Sequence, residues 1–163
     1  MTARKALANA RAFFKTGEFA AALAQYEYFF DHAIEEEESL YGVRLSYCLD
    51  EWARLGSKYP PALQRLQFKA EEAHDLLLRT RKSDRFHDYI AICEYLHRDE
   101  APIELFLTLH KTDRELAQSV VLAPPLHLPR LRRATQRPEG GPLSGYPVAH
   151  LDEIDEQDDG RCP

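Results

Sequence analysis

Two apolar patterns at helical spacing follow each other near the start of the chain. Residues 3 to 15 alternate Ala, Leu and Phe with basic residues, and residues 19 to 34 form a second apolar face that includes Tyr26. Gly17 lies between them, and glycine readily takes the left-handed backbone that ends a helix. The pattern predicts an αα-hairpin in which the small side chain of Ala22 lets the two helices approach closely.

The same hairpin pattern recurs twice further along the chain. Gly56 follows another amphipathic segment and marks the predicted inter-helix turn, and Ala62 comes shortly after it. In the third pattern "HRDE", residues 97–100, takes the place of this turn, and Ala101 takes the position equivalent to Ala62. The positions 22, 62 and 101 are separated by 40 and 39 residues. A period of about 40 residues built from two helices is typical of an α-solenoid.

Equivalent positions of the three patterns carry similar residues. They are Ala6, Asn9, Ala10, Phe13, Ala22 and Tyr26; then Leu45, Cys48, Leu49, Trp52, Ala62 and Leu66; then Phe86, Tyr89, Ile90, Cys93, Ala101 and Leu105. These sets follow the form W-x2-L-G-x2-Y and then A-x3-F. Over about residues 3 to 111 the sequence therefore resembles the tetratricopeptide-repeat family. The alternative is an irregular all-helical bundle, which has the same all-α fold class.

A capping signal predicts the last helix. Thr112 and Glu115 have the spacing of a capping box before a further apolar run, and Pro124 then ends the helix. A solenoid needs such a terminal element to cover its last apolar surface. The sequence thus predicts an all-α domain over residues 1–123, a short α-solenoid of about three antiparallel helix pairs plus a capping helix.

Residues 124–163 differ in composition from the rest. Seven of the ten prolines lie beyond residue 123, and "RPEGGPLSG" has the composition of a linker. Arginines come first in this tail, and the acidic residues of 152 to 159 come last. We expect an irregular, largely disordered tail. The alternative is that "GYPVAHLDEIDE" is a short recognition segment whose apolar residues dock in a groove.

Composition and charge limit the classes of partner and compartment. The chain is 44% hydrophobic and 29% charged, which is typical of a globular protein. A net charge of -6 argues against nucleic acid as the main ligand. Three widely spaced cysteines and the lack of a long apolar run predict reduced thiols, a cytoplasmic location and no membrane partner.

Sequence motifs give little indication of chemistry. The chain has no P-loop, no dinucleotide-binding glycine pattern, no G-x-S-x-G and no H-E-x-x-H. Cys93 and His97 are four residues apart, but Cys93 lies on the predicted core face, where a thiol acts as a small apolar group. Trp52 is likewise expected in the core. We expect no catalytic residue, no metal and no cofactor.

The family resemblance carries the functional expectation. In tetratricopeptide proteins the first helix of each pair lines a concave groove that binds extended peptides or partner helices. The resemblance implies a non-enzymatic protein-binding module, whose partner is another protein or a peptide segment. The Ala- and Arg-rich style suggests a bacterial origin. By position, the partner-binding residues are Arg11, Phe14, Lys15, Tyr47, Asp50, Arg54, His87 and Asp88.

Several roles remain open within and beyond this class. An adaptor and an immunity-type protein that neutralises a basic toxin both suit a small acidic helical domain. An enzyme whose site is assembled from scattered residues is an alternative. A self-assembling structural protein or homo-oligomer is another, because uncovered solenoid ends can stack.

Overall fold

Residues 1 to 122 are described by the computed structural model, and they form seven α-helices joined by short connections, with no strand among them. The all-α class is therefore confirmed. Helix α3 is the continuous helical stretch 41–58, in which a π-helical segment, Arg44–Cys48, lies between Tyr41–Val43 and Leu49–Lys58. A 3-10 turn, Glu38–Leu40, precedes it. The other helices are α1 (Ala3–Thr16), α2 (Phe19–Glu36), α4 (Pro60–Thr80), α5 (Ser83–Tyr95), α6 (Glu100–Thr112) and α7 (Arg114–Leu122). The predicted tail, 124–163, lies outside the described residues.

The turn between α1 and α2 is the one predicted from the glycine. Gly17 has φ 82°, and its N–H donates to the carbonyl of Phe14 at 3.3 Å. Only glycine takes this left-handed conformation without strain. Ala22 and Tyr26 are buried where the two helices pack. The first αα-hairpin is therefore confirmed.

Gly56 has a different role from the predicted inter-helix turn. Helix α3 continues through Gly56 to Lys58, and the extended residue Tyr59 then leads directly into α4. A Cβ atom at Gly56 would lie 3.1 Å from the Cβ atom of Leu63. The glycine is therefore needed for the close approach of α3 and α4, and the prediction of a turn at this position was wrong.

The third hairpin is shifted by one residue from its prediction. Helix α5 ends at Tyr95, and His97 turns the chain with φ 56° before α6 begins. Ala101 is only partly buried, whereas its neighbour Pro102 is buried with Phe106. Proline is tolerated here because the first turn of a helix has no intrahelical partners for its N–H groups. The turn was predicted correctly, but the register of the following helix was wrong.

The last helix is capped one residue later than the capping-box pattern predicts. Helix α6 runs through Thr112, whose hydroxyl donates to the carbonyl of Thr108 at 2.9 Å. Asp113 then breaks the helix, and its carboxylate accepts from the N–H of Leu116 at 3.1 Å. Aspartate is among the best residues for this capping position. The predicted helix exists, with Asp113 rather than Thr112 as its cap.

The core is divided between two groups of buried side chains. The larger one lies mainly among α1 to α4 and surrounds Trp52, which is 0% exposed. The Trp52 indole N–H donates to the carbonyl of Ala62 at 2.9 Å, and its ring meets Phe30 edge-on. The second group joins the end of α4 to α5, α6 and α7. The expectation that Trp52 is a core residue is confirmed.

Equivalent helices of the first two pairs contact each other through ion pairs. Arg11 of α1 pairs with Glu51 of α3, 40 residues away. Lys69 of α4 pairs with Asp31 of α2 at 2.7 Å, across 38 residues. These separations are close to the period read from the sequence. They support stacked helix pairs, while the solenoid arrangement itself stays a prediction.

Candidate functional site

The exposed face of α3 carries three of the predicted binding residues. Tyr47, Asp50 and Arg54 follow each other at spacings of three and four, so they lie on one side of the helix. Tyr47 is 65% exposed, the largest exposed fraction among the large apolar side chains of residues 1–121. Asp50 and Arg54 pair with each other at 2.8 Å on the surface. Such an exposed pair is weak, so both charges remain available to a partner.

Arg11 borders this face from the neighbouring helix α1. Its Nε donates to both carboxylate oxygens of Glu51 at 3.0 Å, and the Tyr26 hydroxyl donates to the same carboxylate at 3.3 Å. Hydrogen bonding to Glu51 raises the pKa of Arg11. Burial, together with the charge of Glu51, raises the pKa of Tyr26. Arg11 therefore joins α1 to α3, and half of its side chain remains exposed.

Phe14 and Lys15 lie at the end of α1. The Phe14 ring is partly exposed, with its centroid 5.9 Å from that of Phe19. The ammonium group of Lys58, from the end of α3, lies 5.1 Å from the Phe14 ring centroid. Lys15 is exposed and makes no ion pair within residues 1–122. This end of the surface therefore combines an accessible ring with two cations.

Helix α5 borders the face of α3 on the other side. Burial raises the pKa of Tyr95, and the negative charges of Glu94 and Asp50 act in the same direction. Helix α5 contacts α3, and the partly buried Tyr95 ring at its end packs against the core group that contains Leu49 and Trp52 of α3. The helices α1, α3 and α5 thus contribute neighbouring residues to one surface, which we call the α3 surface: Arg11, Phe14, Lys15, Tyr47, Asp50, Glu51, Arg54 and Tyr95.

Asp88 does not belong to this surface, which corrects the sequence-based interpretation. Its side chain is buried and accepts from Nη2 of Arg44 at 3.0 Å, with a second hydrogen bond from Nη1. Arg85 approaches the same carboxylate at 3.4 Å. Arg44 also donates to the carbonyl of Phe30 at 2.6 Å. A carboxylate enclosed by two arginines in the core cannot bind an external partner.

His87 is partly buried beside the same ion pair. Its Nδ1 lies 3.0 Å from the Tyr41 hydroxyl, and its buried Nε2 has no hydrogen-bond partner among the described residues. Burial lowers the pKa of His87, while the negative charges of Asp88 and Asp84 act against that shift. The geometry links His87 to the packing of α3 against α5 rather than to the α3 surface.

The π-helical segment explains how α3 serves both the core and the surface. Arg44 and Tyr47 lie in this segment, and Arg44 points inward to Asp88 while Tyr47 points outward to solvent. Short π segments widen a helix locally and often occur at functional sites. The buried ion pair therefore anchors the segment that presents Tyr47.

Sequence reasoning missed three residues that shape this site: Arg44, Glu51 and Lys58. The sequence did indicate that Arg44 is buried, because it lies four residues before Cys48 and eight before Trp52 on the predicted core face. An arginine on such a face needs a buried partner. No sequence pattern indicated the roles of Glu51 and Lys58, since these roles depend on how α1 lies against α3.

The described residues show neither a metal-binding cluster nor an accessible cysteine. Residues 1–122 hold no group of three or more His, Cys, Asp or Glu arranged to bind a metal ion. Burial raises the pKa of the Cys48 thiol and of the Cys93 thiol. Protonated, enclosed thiols are poor nucleophiles. In this part of the chain, no helix has the length and apolar character that crossing a bilayer requires.

Comparison of the chain with protein-family models, with curated proteins and with solved structures found no match. Similarity therefore shows no family, and the tetratricopeptide resemblance stays a prediction.

Proposed function

We propose that this chain is a non-enzymatic protein-binding module whose partner docks on the α3 surface. The observation that carries the proposal is Tyr47, a large ring held 65% exposed on the helix between α1 and α5. Tyrosine is enriched among the residues that dominate binding energy at protein interfaces. The position of Tyr47 supports a concave face formed by α1, α3 and α5, the first helices of the three pairs, as expected for a short solenoid.

Rigid support for the ring strengthens the proposal. The Arg44–Asp88 ion pair holds the segment that carries Tyr47, and Arg11 holds α1 against α3 through Glu51. A preorganised surface loses less conformational freedom when it binds. The partner would place an apolar or aromatic side chain against Tyr47, with polar groups directed at Asp50 and Arg54.

The α3 surface carries both signs of charge. Arg11, Lys15 and Arg54 supply its positive charges, and Asp50 and Glu51 supply its negative charges. Mixed charge of this kind orients a partner and increases its association rate more than its affinity. A peptide segment with acidic residues beside apolar ones fits this pattern. Neutralisation of a toxin is one role such a module could serve.

A comparison of two exposed aromatic residues tests the proposal. The Tyr47→Ala variant removes the ring from the α3 surface, and Phe68→Ala removes a ring that is 48% exposed on α4. Each variant and the wild-type chain are immobilised, and proteins captured from the source proteome are identified by mass spectrometry. We expect a partner that Tyr47→Ala loses and Phe68→Ala retains.

Affinity measured with the purified partner then decides the question. Loss of a hot-spot tyrosine costs about 2 kcal/mol or more, which is roughly a 30-fold weaker Kd. Circular dichroism of both variants checks that the helices remain. Equal affinity for the Tyr47→Ala variant and the wild-type chain would exclude the α3 surface as the binding site.

A further inference from the structure

A patch of rings and lysines lies where the turns of the first two helix pairs meet. The Phe19 ring centroid is 5.9 Å from that of Phe14 and 6.4 Å from that of Tyr59. All three rings are partly exposed, and exposed Lys15 and Lys58 flank them. We call these five residues the aromatic end patch. It is a small apolar surface with a cationic edge.

The two lysines leave the charge of the patch unmatched. Neither Lys15 nor Lys58 forms an ion pair within the described part of the chain. Glu18 is the only acidic residue of α1 and its turn, and its carboxylate accepts a hydrogen bond from the Thr16 hydroxyl. Each lysine lies in the last turn of its helix, where positive charge stabilises the helix terminus. Their ammonium groups remain free to meet carboxylates as well. The patch therefore fits a segment that alternates apolar and acidic residues.

We propose that the occupant of the aromatic end patch is residues 146–156 of this same chain, "YPVAHLDEIDE". In this segment Tyr, Pro, Val, Leu and Ile supply apolar side chains, and four carboxylates follow them closely. The apolar side chains pack on the rings, and the carboxylates pair with Lys15 and Lys58. At Phe14 and Lys15 the segment would compete with a partner bound to the α3 surface, which deepens the proposed function. This competition rests on the proposed function, whereas the contact itself does not.

The length of the intervening chain allows this contact. Tyr146 follows Leu122 by 24 residues. A chain of 24 residues spans about 80 Å at full extension. A domain of this size has a radius of gyration of about 14 Å. A tether on this scale gives an effective concentration in the millimolar range, so a weak contact is well populated.

The native chain carries the two probes that a direct test needs. Trp52 is its only tryptophan, and Cys162 is the only cysteine besides Cys48 and Cys93, which are 0% and 1% exposed. A maleimide acceptor dye attached to Cys162 therefore reports its distance from Trp52 by energy transfer in the full-length chain. A Cys162→Ser variant, which should take up no dye, checks the labelling site.

The expected result is energy transfer that depends on the patch and on salt. The double variant Lys15→Glu, Lys58→Glu should roughly halve the transfer efficiency, as should an increase in salt to about 1 M. A second double variant, Lys5→Glu with Arg79→Glu, changes the net charge by the same amount as the patch variant. Its two exposed cations lie away from the patch, at the start of α1 and near the end of α4. This control should leave the transfer efficiency unchanged. Replacing the four carboxylates of residues 152–156 with amides should act like the patch variant.

Three results would overturn the proposal. One is transfer efficiency that is the same in the patch variant, the control variant and the wild-type chain. Another is an equal fall in the patch and control variants, which would indicate only general charge attraction. The third is transfer that grows with protein concentration, which would identify a second copy of the chain as the occupant. Because no partner is added, the outcome is independent of the Tyr47 experiment.

Discussion

Arg44 of α3 and Asp88 of α5 form an ion pair inside the protein, 44 residues apart in sequence and 4% and 5% exposed. The Arg44 guanidinium also lies 3.8 Å from the centroid of the Phe30 ring and donates to the carbonyl of Phe30. One arginine thus connects α2, α3 and α5. Buried charges of this kind are tolerated only when both are paired and hydrogen-bonded.

Replacing Asp88 by Ala should strongly destabilise the protein. The substitution leaves the Arg44 charge buried with only the Phe30 carbonyl and ring as partners, and breaking such a pair costs about 3–5 kcal/mol. Urea unfolding followed by circular dichroism measures the loss. The double variant Arg44→Met, Asp88→Leu removes both charges and should recover a large part of it. A loss below about 1 kcal/mol for Asp88→Ala would contradict the role of the pair.

Gly56→Ala should also destabilise the protein, by overpacking. The added methyl group would lie 3.1 Å from the Cβ atom and 3.3 Å from the backbone of Leu63, which cannot easily move aside. Overpacking in a tight helix contact costs about 1–3 kcal/mol, which exceeds the gain of about 0.5–1 kcal/mol from the better helix propensity of alanine. Gly42 provides a matched control, because it is also helical and a Cβ atom there meets nothing within 4 Å. Gly42→Ala should raise stability by about 0.5–1 kcal/mol through the better helix propensity of alanine. Thermal melts of both variants test the contrast, and similar shifts would exclude the close approach as the cause.

The stability of the protein should fall as the pH drops below neutrality because of His87. Burial lowers the pKa of His87 from its ordinary value of 6.5, so the unfolded chain binds this proton more readily than the folded one. Neutral His87 therefore makes its full contribution to the free energy of unfolding at pH values above the pKa that this histidine has in the unfolded chain. This contribution is lost progressively as the pH falls from 6.5 toward the folded pKa.

Replacement of His87 isolates this effect. His87→Gln should flatten the dependence of the unfolding free energy on pH between about 7 and 5, measured by urea titration at each pH. His74→Gln is the control, since His74 lies on α4, where it pairs with its neighbour Asp75 and its ring contacts Tyr89. An unchanged pH slope in the His87→Gln variant would assign the acid sensitivity to other groups.

Local signals in the sequence were sufficient for the features that depend on nearby residues. Helical periodicity predicted the all-α class, and Gly17 predicted the first turn because a left-handed C-cap is a local requirement. Trp52 was placed correctly because it falls on an apolar face of its own helix. Each of these follows from residues within about two helical turns.

Features that depend on distant helices could not be predicted in the same way. Gly56 resembled Gly17 in its pattern, but its role comes from the approach of Leu63 on the next helix. Asp88 looked like an exposed residue because its partner Arg44 is 44 residues away. Periodicity also leaves the register open by one residue, which is the difference between Ala101 and Pro102. Tyr47, Asp50 and Arg54 lie together on one exposed face because they belong to one helix, and their role in binding stays a prediction.

The contact between Arg11 and Glu51 should be weak in its effect on stability and measurable by a double-mutant cycle. About half of the Arg11 side chain is exposed, at 47%, against 21% for Glu51, so solvent screens the attraction. The variants Arg11→Gln, Glu51→Gln and the double variant should give a coupling energy of about 0.5–1 kcal/mol at low salt. This coupling should fall at about 1 M salt, where the screening length is near 3 Å.

The same three variants separate a structural role of Arg11 from a binding role. If Arg11 only holds α1 against α3, removal of either charge should weaken partner binding equally, and the double variant should bind like the single ones. We expect a larger loss for Arg11→Gln, because about half of its side chain is exposed on the proposed binding surface. Titration calorimetry with the partner captured by the wild-type chain measures all four affinities. Equal losses for Arg11→Gln and Glu51→Gln would remove Arg11 from the binding surface and leave Tyr47, Asp50 and Arg54 as its centre.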